Sequence, residues 1–324
     1  MRNRIIAAAL ALVGALLPAA PAAATGNGEW SVVPTPARNP GPTPRVYFFL
    51  DASAGQTIKE SVRVSNLSRS SRSFTVYGAD AYNTVRDGGF ALRTLDEEQS
   101  GLGNWVTSQV KKVTVPGGTS ADIPFTITVP ENATPGDHVG GIVALESEPG
   151  AVTEANGATV RIQRAVAARV YLRVAGTVVP GLGVPELDMD ITSPLLPVAA
   201  RGNLEYQVAN IGNVHLIPAA QVKVTGLFGH AVKVSGSTPS ADMVPGARGA
   251  FAMTAEGIWP FDIVTTAVTV TADGGVYARR SDRAVVISWT GVAVLAALIA
   301  AIWWSVRRRI RSREARPRGL VANG

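Results

Sequence analysis

The sequence predicts an all-β chain in which two β-sandwich domains are followed by one C-terminal transmembrane helix. Three observations predict this fold class. Apolar and polar residues alternate with period two in several short segments, turn-forming residues recur about every ten positions, and one uncharged run of 23 residues lies near the C-terminal end. The chain shows no long amphipathic helix pattern, and its 324 residues are more than one domain usually needs.

Residues 1–24 have the pattern of a secretion signal peptide. Arg2 and Arg4 form the positive end, an apolar stretch covers residues 5–17, and three alanines at 22–24 suit cleavage. We therefore expect the mature chain to start directly afterwards. The alternative is an uncleaved membrane anchor, for which the apolar stretch is short.

The first domain is expected to cover residues 25–150. Five prolines between positions 34 and 44 exclude a helix in that stretch. Further on, Val62 and Val64 alternate with polar residues, and apolar residues occupy every second position from 123 to 129. This alternation predicts half-buried strands.

The segment 159–176 fits two structures. Its arginine spacing is compatible with a helix, whereas the sequence "RVYLRV" at 169–174 alternates between apolar and polar positions. We favour a strand that closes the first domain.

The second domain, expected at residues 151–283, repeats the plan of the first. Three short segments recur in the same order: "VRVSNLS" (62–68) with "YQVANIG" (206–212), "VPGGTSADIPF" from Val115 with "VPGARGAFAM" from Val244, and "PGDHV" (135–139) with "PFDIV" (260–264). The recurrence predicts a duplicated strand–turn plan. Both domains are therefore expected to be immunoglobulin-like β-sandwich domains.

Residues 284–306 are the predicted transmembrane helix. At about 1.5 Å per residue they span a bilayer core of roughly 30 Å, and Trp289, Trp303 and Trp304 lie near the ends, where interfacial rings are favoured. The alternative is a buried core helix. The tail, residues 307–324, carries seven arginines and one glutamate, which predicts a cytoplasmic tail and a single-pass type I protein of the cell membrane with its ectodomain outside the cell.

The net charge of +6 arises from the signal and the tail. The remaining residues hold 21 basic and 23 acidic side chains, a net charge near −2, so the composition does not indicate nucleic acid as a partner. The chain contains no cysteine, which excludes disulfides, thiolate metal sites and cysteine nucleophiles.

The sequence shows no catalytic constellation. His138, His215 and His230 are isolated from one another and lack metal-ligand spacing, and phosphate-binding, dinucleotide-binding and nucleophile-elbow motifs do not occur. We therefore predict a non-enzymatic protein without a metal or cofactor.

The segment "PENATPGDHVGGIVAL" at 130–145 places Asp137 beside His138. It could be a catalytic loop or the turn before a buried strand. In the recurring segment Ile263 takes the place of His138, which favours a structural role. The aspartate is expected to accept hydrogen bonds from nearby backbone amides, and the two glycines that follow His138 to allow close backbone approach or a bulge.

Aromatic residues flanked by polar ones suggest a ligand-binding surface in the first domain. Tyr77, Tyr82 and Trp105 could pack on the C–H face of a sugar while Asp80 and Asn83 bond its hydroxyl groups. The alternative is that these rings are core residues or loop anchors.

Several segments carry a family resemblance. They are "EWSVVPTPAR", "VYFFLDASAGQTIKESVRVSNLS", "FTVYGADAYN" and, most specifically, the P-x-x-A-x-P-G-x-x-x-G-G-I pattern at 130–142. Residues 29–147 thereby resemble the N-terminal peptidoglycan-binding domain of the WxL-interacting protein family. The resemblance implies a Gram-positive cell-surface protein whose first domain binds peptidoglycan, whose second domain binds a host or matrix partner, and beside which WxL-domain proteins dock.

The resemblance is uneven along the chain. Residues 177–283 share only the general layout of the family's second domain, and the composition, rich in Ala, Val and Arg, is typical of a high-GC actinobacterium. Two functions are compatible with the sequence. In the first, the N-terminal sandwich of a membrane-anchored protein binds peptidoglycan or another cell-wall glycan. In the second, the protein is an assembly or adhesion subunit that holds another surface protein through an exposed sandwich edge.

Overall fold

The computed structural model describes residues 28–37, 44–148, 152–155, 158–161, 163–192, 196 and 198–314. The predicted signal peptide, part of the proline-rich stretch and the last ten residues of the tail lie outside these residues. The described chain is mostly β-sheet and ends in one apolar helix.

The first half of the chain contributes two sheets to one core. The four-stranded sheet contains, in spatial order, β1 (Trp30–Pro34), β3 (Thr57–Asn66), β8 (Ser120–Thr128) and β6 (Val106–Ser108). The six-stranded sheet contains β2 (Phe48–Ala52), β12 (Ala165–Val174), β9 (Gly136–Glu146), β4 (Arg72–Asn83) and β5 (Phe90–Leu92), with β7 (Lys112–Val115) also paired to β4. A one-turn helix, α1 (Leu102–Trp105), precedes β6, and β10 (Val152–Ala155) and β11 (Ala158–Arg161) form a separate hairpin. Strand β2 runs parallel to β12, whereas the other pairs are antiparallel.

Period-two alternation places the apolar side chains of both sheets in the first core. Val62 and Val64 of β3 and Ile123, Phe125 and Ile127 of β8 are all buried, as the alternation predicts. Each such side chain stabilises the fold by roughly 1.5–3 kcal/mol through removal from water.

Strand β12 confirms the strand interpretation of the ambiguous segment and moves the domain boundary. Val170, Leu172 and Val174 are buried in the first core, and β12 pairs with β9 along its whole length. The first core therefore extends to Val174 and does not end at residue 150, where we expected the boundary. Strands β9 and β12, which precede and follow residue 150, are neighbours in the same sheet.

The second half of the chain forms an eight-stranded sheet around a second core. Its strands, in spatial order, are β13 (Leu182–Gly183), β15 (Ala200–Asn210), β18 (Arg248–Ile258), β17 (Ala231–Gly236), β16 (Ala219–Thr225), β19 (Phe261–Ala272) and β20 (Val276–Ile287), with β14 (Leu187–Thr192) also paired to β15. Short 3₁₀ turns lie at Leu227–Gly229 and Asp273–Gly275.

Asn66 and Asn210, which the recurring segments align, have the same structural role. The side-chain amide of Asn66 donates to Ser70 O (2.8 Å) and Val115 O (2.9 Å), and its oxygen accepts from the amide of Ser68 (3.0 Å). The side-chain amide of Asn210 donates to Val214 O (2.7 Å) and Met243 O (3.0 Å), and its oxygen accepts from the amide of Gly212 (3.1 Å). Both asparagines are buried and both lie at the end of a strand. The two halves therefore use the same asparagine hydrogen-bonding arrangement at the end of a strand.

The apolar helix α2 (Trp289–Glu314) begins later than the sequence indicates. Residues 284–287 belong to the last part of β20, and only Ser288 separates the strand from the helix. A span of 23 residues, Trp289–Arg311, is long and apolar enough to cross a membrane, with a mean hydropathy of 1.9 over its most apolar window. The helix continues into the arginine-rich tail, because arginine is a good helix former.

Candidate functional site: the outer face of the six-stranded sheet

The face of the six-stranded sheet that points away from the core carries the most exposed aromatic surface of the first half. Because side chains alternate between faces, Tyr77 of β4, Val143 of β9 and Ala167 of β12 lie side by side on this outer face. Further along, Tyr171 of β12 lies beside Phe49 of β2. The outer face thus runs from Tyr77 at one side to the free edge of β2 at the other.

A groove of about 720 Å³ lies on the Tyr77 side of the outer face. Val143, Leu145 and Ala167 are among the residues that line it, together with the segment 90–96, which crosses the sheet at the end of β5. Burial raises the pKa of the Tyr77 hydroxyl, and the nearby carboxylates of Asp96 and Glu97 raise it further. The hydroxyl is therefore a neutral hydrogen-bonding group at any physiological pH.

The paired glycines Gly140 and Gly141 allow close packing on both faces of β9. A Cβ on Gly141 would lie 2.7 Å from Leu92 of the crossing segment, and a Cβ on Gly140 would lie 2.4 Å from the carbonyl oxygen of Ala79. Neither position accepts a side chain without displacement of its neighbours. The predicted close backbone approach is confirmed, on both faces of β9.

Aromatic side chains form an aromatic edge cluster, defined as Tyr47, Phe49 and Tyr171, beside the edge strand β2. The rings of Phe49 and Tyr171 stack at 5.1 Å with an interplanar angle of 12°, and Tyr47 meets Tyr171 at 6.1 Å. Phe49 is 67% exposed. The Arg169 guanidinium lies 5.6 Å from the Tyr47 ring centre and 4.0 Å from that of Phe90, so it separates the cluster from the groove.

The aromatic edge cluster is not apparent from the sequence pattern. In "VYFFL" at 46–50 every residue is apolar or aromatic, so alternation does not show that Phe48 points inward and Phe49 outward. The available signal was Tyr171, which the alternation in "RVYLRV" placed on the polar face together with two arginines.

The structure does not bring the five predicted ligand-binding residues together on one surface. Tyr77 lines the groove, and Tyr82 is 37% exposed at the end of β4. Trp105 is half-buried, packs against the first core and contacts the His138 ring at 4.5 Å. Asp80 and Asn83 are buried.

Asp80 organises the loop before α1. Its carboxylate accepts hydrogen bonds from the backbone amides of Ser100 (2.7 Å), Gly101 (2.8 Å) and Gly103 (2.6 Å). A carboxylate committed to three amides in this way holds a loop in place. We predicted that Asp80 would bond the hydroxyl groups of a ligand. Its carboxylate is instead occupied by backbone amides of its own domain.

Asn83 and Asp137 instead lie in the contact between the two halves. The Asn83 side chain donates to Asp242 O (2.6 Å) and accepts from the amide of Val244 (2.9 Å). Asp242 also accepts hydrogen bonds from the Tyr171 hydroxyl and from Arg169 (3.2 Å). Burial and the neighbouring Asp242 carboxylate raise the pKa of Tyr171 to about 12.

Asp137 is the centre of this contact. Arg173 binds its carboxylate through two hydrogen bonds of 2.7 and 3.0 Å, and His215 contributes its backbone amide (3.0 Å) and its Nδ1 (2.7 Å). Burial alone would raise the pKa of Asp137, but the hydrogen bonds from His215 and Arg173 outweigh it and hold the pKa far below its ordinary value. We expected Asp137 to bond amides in its own turn. It binds a residue of the second half instead, whereas Asp262 does accept from the nearby amide of Trp259 (3.3 Å).

His138 packs against neighbouring residues of the first half. Its Nε2 lies 2.9 Å from the carbonyl oxygen of Thr134, and its ring contacts Trp105. Across residues 28–37, 44–148 and the later described segments, no group of three or more His, Asp or Glu side chains is placed to hold a metal ion.

Comparisons with known proteins give only distant similarities. No protein-family model matches the sequence, and no curated protein matches it. Similar solved structures include the YadV chaperone (9% identity, TM-score 0.35, 79% of this chain and 100% of that chain) and the Pseudomonas aeruginosa CupB2 chaperone (13%, 0.33, 74% and 97%). The class 5 fimbriae chaperone CfaA is a third (12%, 0.34, 79% and 99%). Similarity at this level carries no functional conclusion.

Proposed function

We propose that the protein is a membrane-anchored, non-enzymatic cell-surface subunit that holds a partner protein at the free edge of β2. In this proposal each core is an immunoglobulin-like sandwich, and α2 is the single membrane anchor. The observation that carries the proposal is the aromatic edge cluster beside an edge strand.

Strand β2 has a pairing partner on one side only among the described residues, namely β12. Its other side offers backbone N–H and C=O groups to an incoming strand. Soluble proteins usually protect such edges with lysine, proline or a bulge, but β2 reads "FFLDA" and presents Phe49 on its outer face. A strand added to β2 would form main-chain hydrogen bonds and place alternate side chains against the cluster.

The exposed residues around the cluster fit a protein partner. Val46 is 56% exposed and Tyr47 is 38% exposed, and both directly precede β2. Aromatic residues and arginine are the residue types most enriched at the energetically important centres of protein interfaces, and Arg169 lies beside this patch.

A test of this function places a photo-crosslinking amino acid at Phe49 in the full-length chain in its native membrane. We expect one protein to crosslink from position 49. The matched control is Tyr277, which is 72% exposed in the second half. A crosslinked species of the same mass from position 277 would contradict the proposal, as would a Phe49→Glu variant that still co-purifies with the same protein.

A second candidate function, binding of a cell-wall glycan, is favoured by the groove beside Tyr77. An aromatic ring over a groove that also presents Thr94, Gln163 and Arg93 has the chemistry that sugars require. Retention of the detergent-solubilised chain on purified sacculi, lost in Tyr77→Ala but kept in Phe49→Glu, would establish this function instead of partner binding.

The proposed type I topology predicts which part of the chain is protected from protease. Protease added to intact cells after wall removal should digest residues 25–283 and spare the tail, because the arginines from position 307 onward stay in the cytoplasm. An epitope attached after Gly324 reports the protected fragment. Digestion of that epitope with survival of the remainder would show the reverse orientation.

A further inference from the structure

The end of the second half that adjoins α2 exposes large apolar side chains on two loops. We call these the base loops, residues 226–230 and 257–261. Phe228 is 90% exposed, Trp259 is 46% exposed and Phe261 is 44% exposed. Exposed aromatic side chains at this density mark an interaction surface.

The base loops are held in a defined conformation. The buried carboxylate of Asp262 accepts hydrogen bonds from the amide of Leu227 (2.6 Å) and from that of Trp259 (3.3 Å), so one side chain positions both loops. The ring of His230 stacks on Trp259 at 4.0 Å, with an interplanar angle of 7°.

Phe228 adopts a backbone conformation that its residue type avoids. Its φ is +62°, the left-handed region, and Phe228 is the one non-glycine residue with positive φ among the described residues. Such strain persists where the surrounding structure enforces it and frequently marks a functional position. Here it directs an aromatic ring into solvent instead of into the core.

The base loops lie against the start of α2. The amide of Ser288 donates to the carbonyl oxygen of Pro260 (2.9 Å), and a Cβ added to Gly291 would lie 2.6 Å from the Phe261 ring. Phe261 therefore touches the first turn of the helix.

The apolar part of α2 is not long enough to hold the base loops away from a bilayer. The 18 residues from Trp289 to Val306 span roughly 27 Å at 1.5 Å per residue, which does not exceed an apolar core of roughly 30 Å. The first turn of α2, and with it Phe261, must therefore lie at the lipid interface.

We propose that the base loops insert Phe228, Trp259 and Phe261 into the outer interface of the membrane and seat the second half directly on the lipid. This inference rests on the proposed membrane anchor. Tryptophan and other amphipathic rings favour that interface. Both loops, "GLFGH" and "GIWPF", lack acidic residues, so anionic headgroups do not repel them.

The absence of cysteine allows single labels in the full chain. Leu227→Cys carries a fluorescent label beside Phe228, Asp273→Cys carries it at the opposite end of β19, and Ala297→Cys carries it in the middle of α2. The chains are reconstituted in vesicles of phosphatidylcholine and phosphatidylglycerol with nitroxide-labelled lipids. We expect quenching at position 227 to exceed that at position 273 severalfold, because twelve residues of strand separate the sites by roughly 40 Å.

The three labels separate the possible failures. If position 297 is quenched and position 227 is no more quenched than position 273, the base loops do not touch lipid and the membrane anchor stands. If position 297 is not quenched, the anchor fails and this inference fails with it. A Phe228→Gly variant adds a second readout: it relieves the positive-φ strain, so its Tm should rise while quenching at position 227 falls, whereas unchanged quenching would overturn the insertion of Phe228.

Discussion

Replacing Asp137 with alanine is expected to separate the unfolding of the two cores. The substitution leaves the Arg173 guanidinium and the two His215 donors without their acceptor. The Asp137 side chain that it removes is only 3% exposed. Removing one partner of such a pair costs about 2–4 kcal/mol. Calorimetry of the detergent-solubilised chain should show one transition for the wild type and two for Asp137→Ala.

The matched control for this variant is Asp122→Ala. Arg63 binds Asp122 with the same two-bond geometry, at 2.7 and 2.8 Å, but within one sheet and with the carboxylate 42% exposed. Its loss should cost at most about 1 kcal/mol and leave the number of transitions unchanged. Equal effects of the two substitutions would show that Asp137 does not couple the halves.

The same contact predicts a dependence on pH. Because the folded-state pKa of Asp137 is depressed, its contribution to stability is fully present above the unfolded-state pKa, which is about 4. That contribution is lost as the pH falls below this value. The single unfolding transition of the wild type should therefore split in acid, whereas the number of transitions of Asp137→Ala should not change with pH.

Replacing Asn66 or Asn210 with alanine is expected to destabilise one core each. Each substitution removes three hydrogen bonds at a buried strand end, at a cost of about 3 kcal/mol. For a domain of this size the loss corresponds to a Tm decrease of roughly 10 °C.

The Asp137→Ala background makes the two effects separable. In that background, Asn66→Ala should lower one transition and Asn210→Ala the other. Asn104, an exposed asparagine at α1, serves as the control and should change neither by more than about 0.5 kcal/mol on substitution with alanine. A decrease of both transitions by a single substitution would contradict the assignment of one asparagine to each core.

Local patterns predicted the features that depend on local chemistry. Alternation identified Ile123, Phe125 and Ile127 as core residues, and the absence of charge identified the helix that begins at Trp289. Alignment of the recurring segments placed Asn66 and Asn210 at equivalent positions, although it did not show what they bind.

Long-range pairing was not accessible in the same way. Asp137 meets His215 from 78 positions away, and Asn83 meets Val244 from 161 positions away. No local pattern shows such partners. The sequence therefore predicts Asp80 and Asn83 to be free polar groups, although both side chains form hydrogen bonds within the protein. The boundary expected at 150 is wrong for the same reason, since no local pattern shows that β12 pairs with β9.

The direct junction of β20 with α2 determines how the protein carries a mechanical load. The first half is attached at the end of the second half opposite to the helix, where Asn213 and Asp242 lie. In the proposed function, a pull between a bound partner and the membrane therefore acts along the axis of β20, which forms twelve register pairs with β19. The hydrogen bonds between antiparallel strands are perpendicular to the strand axis, so this pull shears them together and does not open them one after another. The resistance of this end of the molecule to pulling is thus set by the length of the β19–β20 ribbon.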